Sequence, residues 1–130
     1  MHLKCGARAR LMLKAYDERR PIRQTAYPIQ AIRFDNALTI LALGGEVVVD
    51  YALRVKREYP GNLMVAAYSN DVMSYIPSQR VLHEGGYEAV DSMIYYGQPG
   101  PYADDVEERI FDGIRRVMKA VGVKGGSSPP

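Results

Sequence analysis

The chain has 130 residues, of which 47% are apolar and 25% are charged, as in an ordinary folded domain. Its 17 basic and 15 acidic residues are spread along the sequence and give a net charge of +2, so no basic patch predicts binding to nucleic acid or anionic lipid. The single cysteine, Cys5, excludes an internal disulfide and a zinc site built on several thiolates.

The first part of the chain predicts a helix and a β-hairpin. Residues 7–16 mix apolar and basic positions as in a short helix. Two β-prone runs, residues 27–34 and 38–43, flank the turn-forming pair Asp35 and Asn36 and predict the hairpin. The second run is almost wholly apolar, so we expect it to lie in the middle of a covered sheet.

A βαβ unit follows the hairpin. Gly44 and Gly45 permit a sharp turn, after which apolar residues recur at helical spacing through residues 47–58. Residues 63–68 form another apolar run, most simply a strand that lies parallel to the preceding strand and is reached through the crossover helix. The sequence therefore predicts the α/β class.

The rest of the chain predicts a loop-rich segment and a C-terminal helix. Residues 69–101 contain many glycines and prolines. Residues 69–102 contain five tyrosines: Tyr75, Tyr87, Tyr95, Tyr96 and Tyr102. Asp104 and Asp105 each precede a glutamate at the spacing of a capping box, which predicts the start of the final helix. Gly122 is its terminating residue, and its buried stripe comprises Val106, Ile110, Ile114, Val117, Met118 and Val121.

Two strand ends are the places where we expect a ligand. In an open α/β sheet the crevice lies beyond the carboxyl ends of the strands, which here means residues 44–46 and 69–75. We expect Glu46 in the first turn of its helix, where unpaired amides and the helix dipole favour the ionised carboxylate that a cation needs. The same position also suits a helix-capping carboxylate with no further role, and residues 69–75 also suit an ordinary capped turn.

Four short motifs stand in order along the chain: Gly44-Gly45-Glu46, Tyr68-Ser69-Asn70-Asp71 with Tyr75, Gly86-Tyr87-Glu88, and Tyr95-Tyr96-Gly97. Together they resemble the motifs of the neutral/alkaline non-lysosomal ceramidases. The resemblance runs over residues 27–121 and is closest to bacterial ceramidase-like hydrolases. It covers only the C-terminal part of a longer catalytic domain.

The resemblance implies a reaction and roles for three residues. Glu46 and Tyr75 would be two of the four protein ligands of a catalytic zinc ion, and Tyr87 would help to hold the scissile amide carbonyl. The family's reaction is zinc-dependent hydrolysis of the N-acyl bond of ceramide to a sphingoid base and a fatty acid, a step of sphingolipid metabolism. Zinc would lower the pKa of a bound water and polarise the carbonyl, while Tyr87 would donate a hydrogen bond to the developing oxyanion.

The histidines depart from the family pattern. The two zinc-binding histidines of the family belong to upstream motifs with no counterpart here, and neither His2 nor His83 stands in a matching motif. His83 is either a substitute ligand or an exposed helix or loop histidine, and we expect the latter. Because two oxygen ligands alone make a poor zinc site, we expect residues 1–122 to be a partial catalytic domain, inactive alone, with 123–130 a disordered tail.

Two other interpretations stay open. In one, the chain is a non-catalytic α/β module that binds a small anion at the start of the helix after Gly44 and Gly45, or a protein through its tyrosine-rich loops. In the other, histidines of another chain complete the zinc site, and exposed strand edges favour that association or self-association. In either form of the hydrolase, the substrate would be an N-acyl lipid such as ceramide.

The sequence contains no pattern typical of a secretory signal or a membrane span. Arginines interrupt residues 1–10, which lack the apolar core of a secretory signal. The longest apolar run, residues 37–45, falls far below the roughly 20 residues that span a bilayer. We therefore expect neither a signal peptide nor a transmembrane segment in this chain, although ceramidases of the resembled family are often secreted or periplasmic. The compartment stays open.

Overall fold

A computed structural model describes residues 2–19 and 24–126 of the chain. The helices are α1 (His2–Asp17), α2 (Val49–Glu58), α3 (Gln79–Glu84) and α4 (Val106–Ala120), with one 3₁₀ turn at Asp91–Ile94. The strands are β1 (Ile29–Phe34), β2 (Leu38–Leu43), β3 (Glu46–Val47), β4 (Leu63–Ala66) and β5 (Tyr75–Ile76). No helix within these two ranges is both long and apolar enough to cross a membrane.

The main sheet has three strands in the order β1-β2-β4. β1 and β2 are antiparallel and form the predicted hairpin, while β2 and β4 are parallel and are joined through α2. The side chains of Leu41 and Leu43 in the central strand are fully buried. The α/β class, the βαβ unit and the central place of the second strand are therefore confirmed.

One face of this sheet is covered by α2 and α4, which meet through aromatic and ionic contacts. Tyr51 of α2 stacks on Phe111 of α4, with ring centroids 5.8 Å apart and ring planes 9° from parallel. The Arg54 guanidinium lies 3.8 Å above the centre of the same Phe111 ring and bonds to Glu107 Oε1 at 2.8 Å. Phe111 thus joins both helices at the centre of the core, although the predicted apolar stripe of the last helix did not include it.

The opposite face of the sheet presents apolar side chains to solvent. Strand register places Ile32 opposite Ile40 and Ile40 opposite Met64, so these three side chains form one row across the sheet. Ile32 and Met64 are exposed, and so is Phe34 further along β1. An apolar sheet face of this kind is typical of a surface that another polypeptide covers.

Two expectations about helix starts were wrong. Glu46 does not lie in the first turn of a helix: it lies in β3, because the Glu46 N–H donates to Ser74 O at 2.9 Å and the chain stays extended until α2 begins at Val49. The final helix does start where predicted, but the side chain of its N-cap residue, Asp105, makes no capping hydrogen bond. Neither glutamate closes a capping box: Glu107 accepts hydrogen bonds from Arg54 and the Gln79 N–H, and Glu108 accepts from Arg54 and Arg115.

The end of α4 follows the prediction. Gly122 adopts a left-handed φ of 74°, its N–H donates to Lys119 O, and the next N–H, of Val123, donates to Met118 O. Val123 packs against the core, and the Gly126 N–H donates to Glu58 O at 2.8 Å. Of the predicted tail, residues 127–130 lie outside the described residues.

We predict that Phe111→Ala lowers the free energy of unfolding by about 3–5 kcal/mol, because it removes a fully buried ring and leaves a cavity between α2 and α4. Urea titration followed by circular dichroism measures the loss. Leu53→Ala is the matched control, since this α2 side chain is 62% exposed and its truncation should change stability by no more than about 0.5 kcal/mol. Equal losses in the two variants would contradict the assignment of Phe111 to the core.

Candidate functional site

The two segments beyond the strand ends lie against each other. The Gly45 N–H donates to Asp71 O at 2.8 Å, and the Tyr68 N–H donates to Gly45 O at 2.9 Å. A further bond, from the Glu46 N–H to Ser74 O, begins the parallel pairing of β3 with β5. In that pairing Glu46 stands directly opposite Tyr75. Residues 44–46 and 69–75 therefore form one structural unit beside the main sheet.

Gly45 makes this close approach possible. Its φ is 72°, and an added Cβ would lie 2.6 Å from Ile76 Cγ1 and 2.9 Å from Ser74 O. Both the left-handed backbone and the lack of space require glycine at this position. Tyr68, which precedes the 69–75 loop, also has a left-handed φ of 55°, an uncommon conformation for a bulky residue and one that is concentrated at functional sites.

Three tyrosine hydroxyls surround the Glu46 carboxylate. Tyr96 Oη lies 3.3 Å from Glu46 Oε2. The hydroxyls of Tyr68 and Tyr75 also lie within hydrogen-bonding reach of this carboxylate. The carboxylate is therefore set among neutral hydroxyl groups.

The hydroxyls keep Glu46 ionised. Partial burial raises the pKa of Glu46, but hydrogen bonds from Tyr68, Tyr75 and Tyr96 outweigh this effect and hold the pKa below its ordinary value of 4.5. Conversely, the hydrogen bond to Glu46 raises the pKa of Tyr68 to about 12, and it raises the pKa of Tyr75 as well. At neutral pH the site therefore holds one negative charge and protonated phenols.

The predicted residue Tyr87 belongs to the same cluster. The rings of Tyr75 and Tyr87 meet edge to face, with centroids 5.6 Å apart and planes at 76°. Tyr75 meets Tyr96 at 6.3 Å and 80°, and Tyr87 meets Tyr95 at 6.4 Å. We call Tyr68, Tyr75, Tyr87, Tyr95 and Tyr96 the tyrosine cluster. The structure thus brings Glu46, Tyr75 and Tyr87 together.

Two partners of Glu46 were missed by the sequence reasoning. Tyr68 and Tyr96 were noted only as members of motifs, with no role of their own. Tyr68 ends the segment after β4, at the sheet edge where Glu46 was expected, so its position was a usable signal. Nothing local in the sequence places Tyr96 near Glu46, because the two residues are brought together only by the fold of the loop-rich segment.

A cleft of about 450 Å³ opens beside Glu46. Tyr68 and Tyr75 line it, together with four acidic side chains and one basic one: Glu46, Asp50, Glu84, Glu88 and Arg80. Arg80 pairs with Asp50 Oδ1 at 3.0 Å and with Glu84 Oε2 at 2.7 Å. Since four carboxylates face one guanidinium, the walls of the cleft carry a net charge of −3 (one positive against four negative).

The predicted zinc ligands are adjacent but incomplete as a metal site. Within the part of the chain that the structure describes, no three His, Cys, Asp or Glu side chains come together as a metal-binding group. His83 lies in α3 with its side chain 62% exposed, and its Nε2 is 3.7 Å from Asp104 Oδ1. The expectation of an exposed helix histidine is confirmed.

The anion site considered at the same turn lacks free donors. The helix does not start there, because α2 begins at Val49. The amides of Gly44, Gly45 and Glu46 already donate to the backbone carbonyls of Pro28, Asp71 and Ser74. An anion would find no unpaired N–H among these three amides, and it would face the acidic walls of the cleft.

No protein-family model matches the chain, and no curated protein or solved structure does either. The resemblance to ceramidases therefore rests on the four short motifs. The convergence of Glu46, Tyr75 and Tyr87 is independent of any relative, since it follows from strand pairing and ring contacts within this chain.

We predict that Gly45→Ala destabilises the chain by about 1–3 kcal/mol more than Gly85→Ala, because only the former forces a Cβ against neighbouring atoms. The two glycines are a matched pair: φ is 72° at Gly45 and 73° at Gly85, and a Cβ at Gly85 would meet nothing within 4 Å. Urea unfolding of both variants measures the difference. Equal losses would show that Gly45 is not crowded by Ile76 and Ser74.

We predict that Glu46 titrates below pH 4.5 and that Tyr68→Phe, Tyr75→Phe and Tyr96→Phe each move its pKa upward, because each removes a hydroxyl near the carboxylate. Since the folded pKa is the lower one, the associated stability is present above pH 4.5 and is lost as the pH falls through the folded pKa. Carboxyl-carbon NMR titration measures these values, with Tyr16→Phe on α1 as the control. An ordinary Glu46 pKa in the unsubstituted chain would exclude the hydroxyl contacts.

Proposed function

We propose that this chain supplies one part of a zinc amidohydrolase site of the neutral ceramidase type, which hydrolyses the N-acyl bond of ceramide or a related N-acyl lipid. The observation that carries the proposal is the β3–β5 pairing, which sets Glu46 opposite Tyr75. These are the two residues to which the resemblance assigns zinc ligation. The Tyr87 ring, which packs on Tyr75, has the position expected of a group that acts beside the metal.

Each of the three residues has a role that its surroundings support. The ionised Glu46 carboxylate is in the form that binds a cation. Tyr75 binds a metal only as a phenolate, and its raised pKa keeps it protonated until a cation replaces its proton. Tyr87 is 48% exposed, and in this proposal its hydroxyl donates a hydrogen bond to the oxyanion that develops on the amide carbonyl.

The fit to zinc is partial. Zinc prefers about four ligands with nitrogen or sulfur among them, and the described residues offer only oxygen at Glu46 and Tyr75. We therefore propose that histidines of another segment or another chain complete the site, and that residues 1–122 do not hydrolyse ceramide unaided. Zinc, when bound, would supply Lewis acidity and a water of lowered pKa.

The exposed apolar face of the sheet is a surface that a second layer of polypeptide would cover. Ile32, Phe34 and Met64 would be covered if the segment with the missing ligands packed there. β1 and β4 are the outer strands of the main sheet, so either also offers an edge for pairing, including self-association. We propose that this sheet is part of a larger catalytic domain.

Zinc uptake tests the proposal. We predict that the chain binds zinc weakly, that excess imidazole strengthens binding by supplying the missing nitrogen ligand, and that binding raises near-ultraviolet tyrosinate absorption as Tyr75 loses its proton. Glu46→Gln and Tyr75→Phe should each weaken zinc affinity by about tenfold or more, as measured by isothermal titration calorimetry.

Glu18→Gln and Tyr16→Phe, which alter exposed residues at the end of α1, are the matched controls and should bind zinc as the unsubstituted chain does. Unchanged affinity in both site variants would exclude Glu46 and Tyr75 as ligands. Turnover of a fluorescent ceramide by the chain with zinc alone would show instead that its own residues complete the site, contrary to the partial-site proposal.

A further inference from the structure

A second cleft lies between the start of β1 and α4. Its volume is about 630 Å³, which lies within the range of small-molecule sites. None of its described lining residues belongs to the cleft beside Glu46. Ile29, Val106 and Ile110 form an apolar part of its wall. Such a wall suits the hydrocarbon part of an organic ligand, because contact with it removes apolar surface from water.

Gly113 brings a charged group to this apolar wall. A Cβ at Gly113 would lie 2.5 Å from Ile29 Cδ1, so the backbone of α4 packs directly on β1 at this point. The Arg116 guanidinium lies beside the same contact, with Nη2 3.9 Å from the position of that Cβ. Arg116 also lines the cleft, and it therefore holds its charge next to an apolar side chain.

The charge of Arg116 is not balanced by a neighbouring carboxylate. Within residues 2–19 and 24–126 no carboxylate forms a salt bridge with Arg116. The other two charged residues of the cleft, Arg109 and Asp105, pair with each other at 2.7 Å. The lining residues thus carry a net charge of +1 (two positive against one negative). An anion is attracted to this cleft, and a guanidinium binds a carboxylate through two parallel hydrogen bonds.

Tyr27 supplies an unpaired donor in the wall of the cleft. Among the residues that the structure describes, its hydroxyl is the one buried side-chain polar atom that has no hydrogen-bond partner. The nearby tyrosines are satisfied: Tyr51 Oη donates to Pro77 O at 3.1 Å, and Tyr102 Oη lies 2.6 Å from Ser74 Oγ. Burial raises the pKa of Tyr27, so the hydroxyl keeps its proton. Because a buried donor without an acceptor is destabilising, a hydrogen bond to a ligand acceptor would be favoured there.

The donor and the charge lie at different places along the cleft. α4 runs alongside β1 in the same direction: Gly113 meets Ile29, and further along both elements Arg33 Nη1 donates to Gly122 O at 2.7 Å. Tyr27 precedes Ile29 and therefore lies nearer to the start of α4 than the guanidinium held beside Gly113. The two polar groups would contact different ends of one ligand.

We propose that this cleft binds an organic carboxylate whose apolar body carries an acceptor oxygen at its far end. The carboxylate pairs with Arg116, and the apolar body lies against Ile29 and Ile110. The acceptor oxygen takes the hydrogen bond of the Tyr27 hydroxyl. Neither zinc nor any residue of the cleft beside Glu46 takes part, so this site is independent of the hydrolase proposal.

Three related compounds test the proposal. The first, 4-(4-methoxyphenyl)butyrate, has the charge, the apolar body and an ether oxygen. Its amide lacks the charge, and 4-phenylbutyrate lacks the ether oxygen. Saturable shifts of the methyl NMR signals of Ile29 and Ile110 measure the affinities. We expect the methoxy acid to bind about tenfold more tightly than the amide and about threefold more tightly than 4-phenylbutyrate. No saturable binding, or equal affinity of the acid and its amide, would overturn the proposal.

Two variants assign these preferences to their residues. Arg116→Gln should lower the affinity for the methoxy acid to that of the amide and leave the amide unaffected. Arg57→Gln, which alters an exposed arginine of α2 outside the cleft, is the control and should bind as the unsubstituted chain does. Tyr27→Phe should remove the preference for the methoxy acid over 4-phenylbutyrate. It should not lower the free energy of unfolding in urea, because the hydroxyl makes no hydrogen bond within the described residues. Retention of either preference in its variant would refute the proposed ligand.

Discussion

The pairing of residues 44–48 with residues 71–76 is the constraint on which the site depends. Beyond β2 the chain does not enter a helix at once, because its amides are taken by Asp71 O, Ser74 O and Ile76 O. This pairing is possible only because Gly45 has no side chain to meet Ile76. Three consequences follow together: Glu46 faces Tyr75, α2 starts late, and the 69–75 loop is held against the sheet.

The elements that the sequence predicted well are those with long local patterns. The apolar run of β2 and the stripe of α4 each repeat a signal over several residues, and Asp35 and Asn36 are strong turn formers, so the hairpin, the βαβ unit and the last helix were correctly placed. β3 and β5 have two residues each, too few for any periodicity. Their pairing joins distant parts of the chain, which explains why Glu46 was wrongly expected in a helix.

The location of the candidate site could be predicted from the sequence, but the full set of residues around Glu46 could not. Strand ends in α/β sheets mark ligand crevices, and residues 44–46 and 69–75 do meet there. The roles of Tyr87 and Tyr75 came from motif resemblance, whereas the contact of Tyr96 with Glu46 required the fold of the whole loop-rich segment. Phe111 was missed for a related reason: its burial depends on Tyr51 and Arg54 of another helix.

Two carboxylates in the same cleft, Glu46 and Asp50, both have a lowered pKa, but different partners stabilise their charges. Asp50 has a lowered pKa chiefly because Arg80 donates hydrogen bonds to it, so its charge is already neutralised by a partner. Glu46 is kept ionised by neutral phenols, which stabilise the charge without cancelling it. A cation that enters the cleft therefore gains more from Glu46 than from Asp50. Zinc must in addition displace the proton of Tyr75, whose raised pKa opposes that step unless nitrogen ligands from elsewhere strengthen the site.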